Sequence, residues 1–367
     1  MRLSIMKRSD LEHVMKKILF TILFFSAFGW MGCHKDDPKD PEIPYKTSPY
    51  SLEIPAGFPQ MVIPSDNPLT QEGVSLGRRL FYDNILSKNN TQSCASCHNQ
   101  ALAFSDNGNR FSTGIDGQQG NRNAQALVNM GFNLHFFWDG RSESLEAQAL
   151  QPVPNPIEMH LSWNEAAQRL NAMPEYKKLF KQAFNATVID SSHVTKALAQ
   201  FMRTMISANS KLDKRLRNEV ALTPSETNGY VIYNTERGDC FHCHNIDGGR
   251  LLTDNQFHNN GLDATFTDLG RGAITGNPAD NGKFLTPTLR NIALTAPYMH
   301  DGRFQTLEEV VEHYNSGGTP SATIDPLMKH VGTGLGLTAQ EKADLVAFLR
   351  TLTDSTFITD SRFQNPF

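Results

Sequence analysis

Disulfide-building cysteine is missing from this sequence. Five cysteines occur in 367 residues, and four of them fall into two close CxxC pairs. No two separate cysteines remain to cross-link distant parts of the chain. Apolar runs of 18 or more residues are absent too, which removes an obvious membrane-spanning helix. Basic charge gives no excess, with 34 Lys and Arg against 38 Asp and Glu, so a nucleic-acid partner is not indicated. Hydrophobic residues at 39% and charged residues at 20% fit a globular protein, long enough for two domains.

The first 32 residues read as a targeting segment. Lys16 and Lys17 precede the apolar run ILFTILFFSAFGWMG, residues 18–32. That run is short for a bilayer span and suits a signal-peptide core. Cys33 follows Gly32 and resembles a lipoprotein acceptor, making Cys33 the expected mature N-terminus and its lipid the only expected membrane attachment. Residues 33–60 form a charged, Pro-rich tether. An exported protein is expected, in the periplasm or on the outer membrane. Lys35-Asp36-Asp37 resembles an export signal to the cell surface. Without residues 1–32 the formal charge falls to about −7.

The paired cysteines read CASCH, Cys94–His98, and CFHCH, Cys240–His244. Two zinc half-sites would ordinarily lie closer together, and a thioredoxin-like pair needs neither the adjacent His nor a duplicate. Covalent haem explains all of it. Two thiols add across the vinyl groups of one rigid macrocycle, and the following His reaches the iron. Two c-type haems are therefore expected, with His98 and His244 as iron ligands.

More than the CxxCH repeats. GVSLGRRLFYDNIL (73–86) precedes the first, with apolar residues at helical spacing, and TPSETNGYVIYN (223–234) precedes the second. Thr223 with Glu226 makes a capping box there. Each CxxCH is followed by an Arg-Asn pair, at 122–123 and 290–291, and by a DGR turn, in FWDGRSESLEAQ and MHDGRFQTLEEV. Amphipathic helices close the halves at 190–207 and 337–352, the second with a Thr338–Glu341 capping box. Residues 162–184 add two helices to the first half. An all-α protein with two cytochrome c-like haem domains in tandem is expected, at 61–210 and 211–367.

At this point the sequence resembles the bacterial di-haem cytochrome c peroxidases, a family that includes MauG. The motifs are FFWDGRSESLEAQALQPVPNPIEM (136–159) and TPTLRNIALTAPYMHDGR (286–303), and the likeness runs from about 60 to 355. It implies that the N-terminal haem reacts with hydrogen peroxide while the C-terminal haem takes electrons from a small donor, a cytochrome c or a cupredoxin. Glu158 falls on the family's distal carboxylate, Gln148 on a second distal polar residue and Pro152 on a loop-shaping position. A lone glutamate is ordinarily a solvated loop residue; the flanking motif singles this one out. Trp138 matches the tryptophan between the haems. Asn123, with the carbonyls of Thr295 and Pro297, matches an interdomain calcium site, although no acidic cluster supports it. Many relatives are homodimers.

Two departures matter. Many members carry a His in the loop after the first haem, where it blocks the iron. This loop reads STGIDGQQGNRN (112–123), with Ile115-Asp116 at that place and no His between His98 and His135. The other haem usually takes a Met as sixth ligand, and that position is Tyr314 here, as in MauG-like members. Met328, His313 and His330 are the alternatives. A phenolate favours oxidised iron and lowers the potential. Three functions compete: peroxide reduction, MauG-like oxidation of a protein side chain, and plain electron transport.

Overall fold

The computed structural model describes residues 45–247 and 249–367. The expected signal peptide, Cys33 and the tether up to residue 44 lie outside them. Among the described residues the helices run α1 Gln71–Tyr82, α2 Cys94–Cys97, α3 Leu145–Ala149, α4 Trp163–Ala172, α5 Pro174–Phe184, α6 Ser191–Arg203, α7 Lys211–Leu216, α8 Pro224–Tyr233, α9 Gly272–Thr275, α10 Leu307–Asn315 and α11 Ala339–Arg350. The expected all-α class needs one correction. Strands β1 (Phe257–His258) and β2 (Phe284–Leu285) pair antiparallel, Phe257 opposite Leu285. This ribbon supports the first DGR turn, because the Leu285 amide donates to the Trp138 carbonyl at 2.8 Å.

Both halves are built on the same crossing. Thr70 caps α1 by accepting from the Gly73 amide, and Leu76, Leu80 and Phe81 make its buried face. Its partner is the closing helix α6. At Gly77 the backbones touch: a Cβ there would stand 1.9 Å from the Ala197 carbonyl oxygen and 2.9 Å from Phe201 Cβ. In the second half α8 begins with the Thr223–Glu226 capping box, and α11 with the Thr338–Glu341 box. Gly229 repeats the contact, its Cβ position 1.9 Å from the Asp344 carbonyl oxygen and 2.8 Å from Phe348 Cβ. Only glycine admits so close an approach.

The repeat is in a different register from the Arg-Asn pairs. Asn129 and Asn291, not Asn123 and Asn291, are the counterparts. Both have a left-handed backbone, φ 58° and 61°, and each opens a short 3-10 turn. The DGR turns follow from them in step. Phe136 bridges Ser142 as Tyr298 bridges Phe304, and Phe137 and Met299 both have positive φ, 65° and 75°. This register makes His300 the counterpart of Trp138.

The largest apolar core among the described residues gathers around Leu76, Phe81, Phe104, Phe180 and Phe201, and a second around Ile232, Tyr233, Val311, Leu345 and Phe348. The tail departs from its expected place in the second half, because Phe357 and Phe363 are buried in the first core. They meet the edge of Phe104 at 5.7 and 6.4 Å between ring centres. The Tyr82 hydroxyl also donates to the Phe363 carbonyl at 2.6 Å. The turn before this tail is set by buried Asp354. Its Oδ2 accepts from Ser207 Oγ and the amides of Ala208 and Asn209, and its Oδ1 accepts from Thr356 and Phe357.

Candidate di-haem site

Each CxxCH turns tightly enough to aim its histidine. The His98 amide donates to the Cys94 carbonyl at 3.1 Å, and His244 to Cys240 at 3.0 Å. His98 Nδ1 lies 2.9 Å from the Phe104 carbonyl and His244 Nδ1 3.0 Å from that of Leu252. A carbonyl only accepts, so both Nδ1 atoms carry the hydrogen and both Nε2 lone pairs are left for a metal. Burial lowers the pKa of both rings, keeping the imidazoles neutral.

The four thiols are unpaired. Burial pushes Cys94 and Cys240 up to about 12 and Cys97 up to about 11, so they are not standing thiolates. Beside Cys97, Gln92 Nε2 lies 3.7 Å from the sulfur, and Gln92 Oε1 is buried with no hydrogen-bond partner. Covalent haem fits this donor set: two thiols and one free imidazole nitrogen per segment, with an orphaned polar atom beside the first.

The sequence-singled residues separate into two groups. Glu158 belongs with the first segment: Gln92 Nε2, 3.7 Å from Cys97 Sγ, donates to the Thr113 carbonyl at 3.2 Å, in the loop that holds the Glu158 backbone. Burial raises the pKa of Glu158 itself, opposed by Asn155 and Arg141. One side-chain donor is fixed on it, Asn155 Nδ2 at 2.7 Å. Pro152 shapes the same segment by accepting the Met159 amide at 3.3 Å. Gln148 lies half-buried on α3. The loop 112–123 packs against this segment, the Ile115 amide donating to the Glu158 carbonyl at 2.8 Å.

The other group surrounds the second segment. A cavity of about 260 Å³ is lined by Cys240, Cys243, His244 and Tyr314, and also by Trp138, Asn123, Thr295 and Pro297. The Trp138 indole donates to the Asn123 carbonyl at 2.8 Å, and the Asn123 amide donates to the His300 carbonyl at 2.7 Å. Asn123 thus ties the two repeat counterparts together. Its Nδ2 is spent on the carbonyls of Asn109 and Arg110, both at 3.1 Å, which turns Oδ1 away as an acceptor.

Tyr314 lies on α10. Burial pushes its phenol up to about 12, against the lowering effect of Asn260, whose Nδ2 donates to the phenol oxygen at 3.1 Å. Met328 and His330 line the same cavity. His313 turns its Nε2 to the Asn260 carbonyl at 3.0 Å.

Sequence reasoning missed Asn260 and His258. His258 stands between Asp254 and Asp325, at 2.8 and 2.6 Å. Burial opposes its charge, but Asp254, Cys243 and Asp325 outweigh that and hold its pKa at about 11. His258 ends the two-residue strand β1 and Asn260 lies just beyond it, with partners distant in sequence, and only the spacing of Asp254 and His258 hinted at a pair.

Residues 71–221 match the family described as di-haem cytochrome c peroxidase. A methylamine utilization protein MauG from Methylorubrum extorquens is 39% identical over 293 residues, 79% of this chain and 80% of that protein. The chain belongs to the di-haem cytochrome c peroxidase and MauG family. A cytochrome c551 peroxidase from Nitrosomonas europaea is 35% identical over 303 residues, 81% of this chain and 85% of that protein. A crystal structure described as a MauG-like protein associated with microbial copper homeostasis superposes with a TM-score of 0.80 at 39% identity, over 86% of this chain and 99% of that one. Membership of the di-haem family implies two c-type haems and a peroxidase-like oxidoreductase.

Proposed function

We propose that this protein reduces hydrogen peroxide to water, H₂O₂ + 2e⁻ + 2H⁺ → 2H₂O, with electrons from a small cytochrome c or cupredoxin. The observation that carries this reading is Glu158, a half-buried carboxylate of raised pKa whose segment is tied through the 113–115 loop to the Cys94–His98 stretch. The names of relatives such as cytochrome c551 peroxidase support it. Haem at each CxxCH supplies the iron that binds peroxide and carries electrons. Cys94, Cys97 and His98 would hold the first, in an N-terminal peroxidatic domain; Cys240, Cys243 and His244 would hold the second, in a C-terminal electron-transfer domain.

Glu158 does the proton work. It accepts the peroxide proton at one oxygen atom and returns it to the departing oxygen, so water leaves rather than hydroxide. The Asn155 amide holds one carboxylate oxygen and leaves the other free for that exchange. Gln148 orients the peroxide. Trp138 lies at the wall of the second cavity, on the strand turn that leads to α3 and the Glu158 segment, where an indole shortens the electron path. Calcium at Asn123 Oδ1 and the carbonyls of Thr295 and Pro297 would stiffen this crossing. Export as a lipoprotein modified at Cys33 belongs to the same proposal.

The test is Glu158→Gln. It keeps both haems but loses at least about 100-fold in peroxide reactivity, the lower end of acid–base catalysis. A variant reacting at the wild-type rate would remove Glu158 from the mechanism.

One observation favours a second reading, oxidation of a protein side chain as in the MauG-named relatives. Tyr314 faces the cavity of the second segment, where its phenolate would ligate the second iron and stabilise oxidised states. Release of peroxide-derived oxidising equivalents onto a protein substrate, in the absence of any small donor, is the outcome that separates it.

A further inference from the structure

Three stretches of chain meet behind Glu158. The loop 112–120 closes on itself, with Thr113 bridging Gln119 and the Gly114 amide donating to Gln118 at 2.8 Å. It then touches the Glu158 segment through its backbone. The Ile115 amide donates to the Glu158 carbonyl at 2.8 Å, and a Cβ on Gly114 would lie 2.2 Å from the Ile157 carbonyl oxygen. At its start the loop is held to the CxxCH stretch by Gln92 Nε2, which donates to the Thr113 carbonyl at 3.2 Å.

Asp116 is the side chain that joins all three. Lys88 Nζ donates to both of its oxygens, at 2.8 and 2.9 Å, and His160 Nδ1 meets Oδ2. The Lys88 amide in turn donates to the Met159 carbonyl at 2.9 Å. Lys88 is not free to drift, because Arg169 on α4 reaches the carbonyls of Ser87 and Lys88 at 2.7 and 2.8 Å. The clamp therefore brackets Glu158: Ile115 on its carbonyl, and Met159 and His160 immediately after it, are all tied to the Lys88 and Asp116 pair.

We infer that Asp116 is a positioning residue for Glu158, locking the 113–116 loop as a fixed wall of the peroxide site through Lys88 and His160. This rests on the reading of Glu158 as the proton-transfer group. The ion pair is partly exposed, so it adds little to global stability. Its effect is local: it decides whether the Ile115 amide stays on the Glu158 carbonyl.

Local opening is read by hydrogen exchange of that amide. In the oxidised holoenzyme with both haems in place, Asp116→Ala raises Ile115 exchange and slows the peroxide reaction, each by about tenfold, well inside the roughly 10²-fold that an ångström of misplacement costs. Lys88→Met moves both readouts in the same direction, and Asp116→Glu restores both toward wild type. Glu158→Gln loses the reaction while Ile115 stays protected. If Asp116→Ala leaves Ile115 protected, or frees it without slowing the reaction, the positioning role is overturned. Glu158→Gln reacting at the wild-type rate overturns the underlying reading, and this is seen without reference to the exchange data.

Discussion

The two CxxCH segments share a frame and differ in what faces it. Each His donates Nδ1 to a backbone carbonyl, of Phe104 or of Leu252. Each half rests on a helix crossing closed at one glycine, Gly77 or Gly229. Against the first frame stands a half-buried carboxylate with a clamped loop behind it. Against the second stands a phenol, Tyr314, oriented by Asn260, with the His258 imidazolium held by two aspartates nearby. Burial raises the pKa of both facing groups, the Glu158 carboxyl above its ordinary value and the Tyr314 phenol up to about 12. In the proposed function one scaffold carries a proton-transfer site and an electron site, and the facing residues make the difference.

Removing the frame on one side has the largest effect. Cys97→Ser is expected to leave one haem and Cys243→Ser the other, each with loss of structure in its own half. Intact mass and haem staining after denaturation check this, and wild-type protein with a single haem would break the comparison at its root.

The acid limb comes next. Only the ionised Glu158 accepts the peroxide proton, so reactivity falls as pH drops through its pKa. Because burial raises that pKa, the fall begins above the ordinary carboxylate value of 4.5. Peroxide rates across pH should show this limb in wild type and in Tyr314→Phe, and lose it in Glu158→Gln.

The crossings give a matched pair of stability tests. Gly77→Ala and Gly229→Ala each force a Cβ into a carbonyl oxygen, at a cost of about 1–3 kcal/mol. Thermal melts followed at each haem should show the first variant loosening the first half and the second variant the second.

The smallest change expected is at the second iron. Tyr314→Phe alters that haem's spectrum and moves its potential upward, with the first haem unchanged, as spectroelectrochemistry would show. An unchanged spectrum returns Tyr314 to packing.

Much of this architecture was legible in the residues. The CxxCH spacing marked both frames, the capping boxes at Thr223 and Thr338 formed as written, and the added helices became α4 and α5. These signals are local. What escaped depends on contacts between distant stretches. The matching Arg-Asn pairs suggested a false register, because Asn129 lacks a neighbouring Arg, and its likeness to Asn291 lies in a left-handed backbone and in a buried Oδ1 that accepts a distant amide, of Ser207 or of Asp354. The tail's phenylalanines follow the second half in sequence yet fill the first core. Trp138 was expected between the haems; it sits on the DGR turn of the first half and lines the cavity of the second segment, a contact between stretches about a hundred residues apart. Asn260 carries no pattern, and its role appears only where it meets Tyr314.

The most direct test of this division mixes fully oxidised protein with hydrogen peroxide in a stopped-flow spectrometer, with no reductant. The loop that blocks iron in many relatives carries Ile115 and Asp116 here, clamped to Glu158 and Lys88. The first site should therefore stand open, with a high-spin ferric signal and an immediate reaction that Glu158→Gln abolishes and Tyr314→Phe does not. Oxidised protein that stays low-spin and inert until its second haem is reduced would contradict the account.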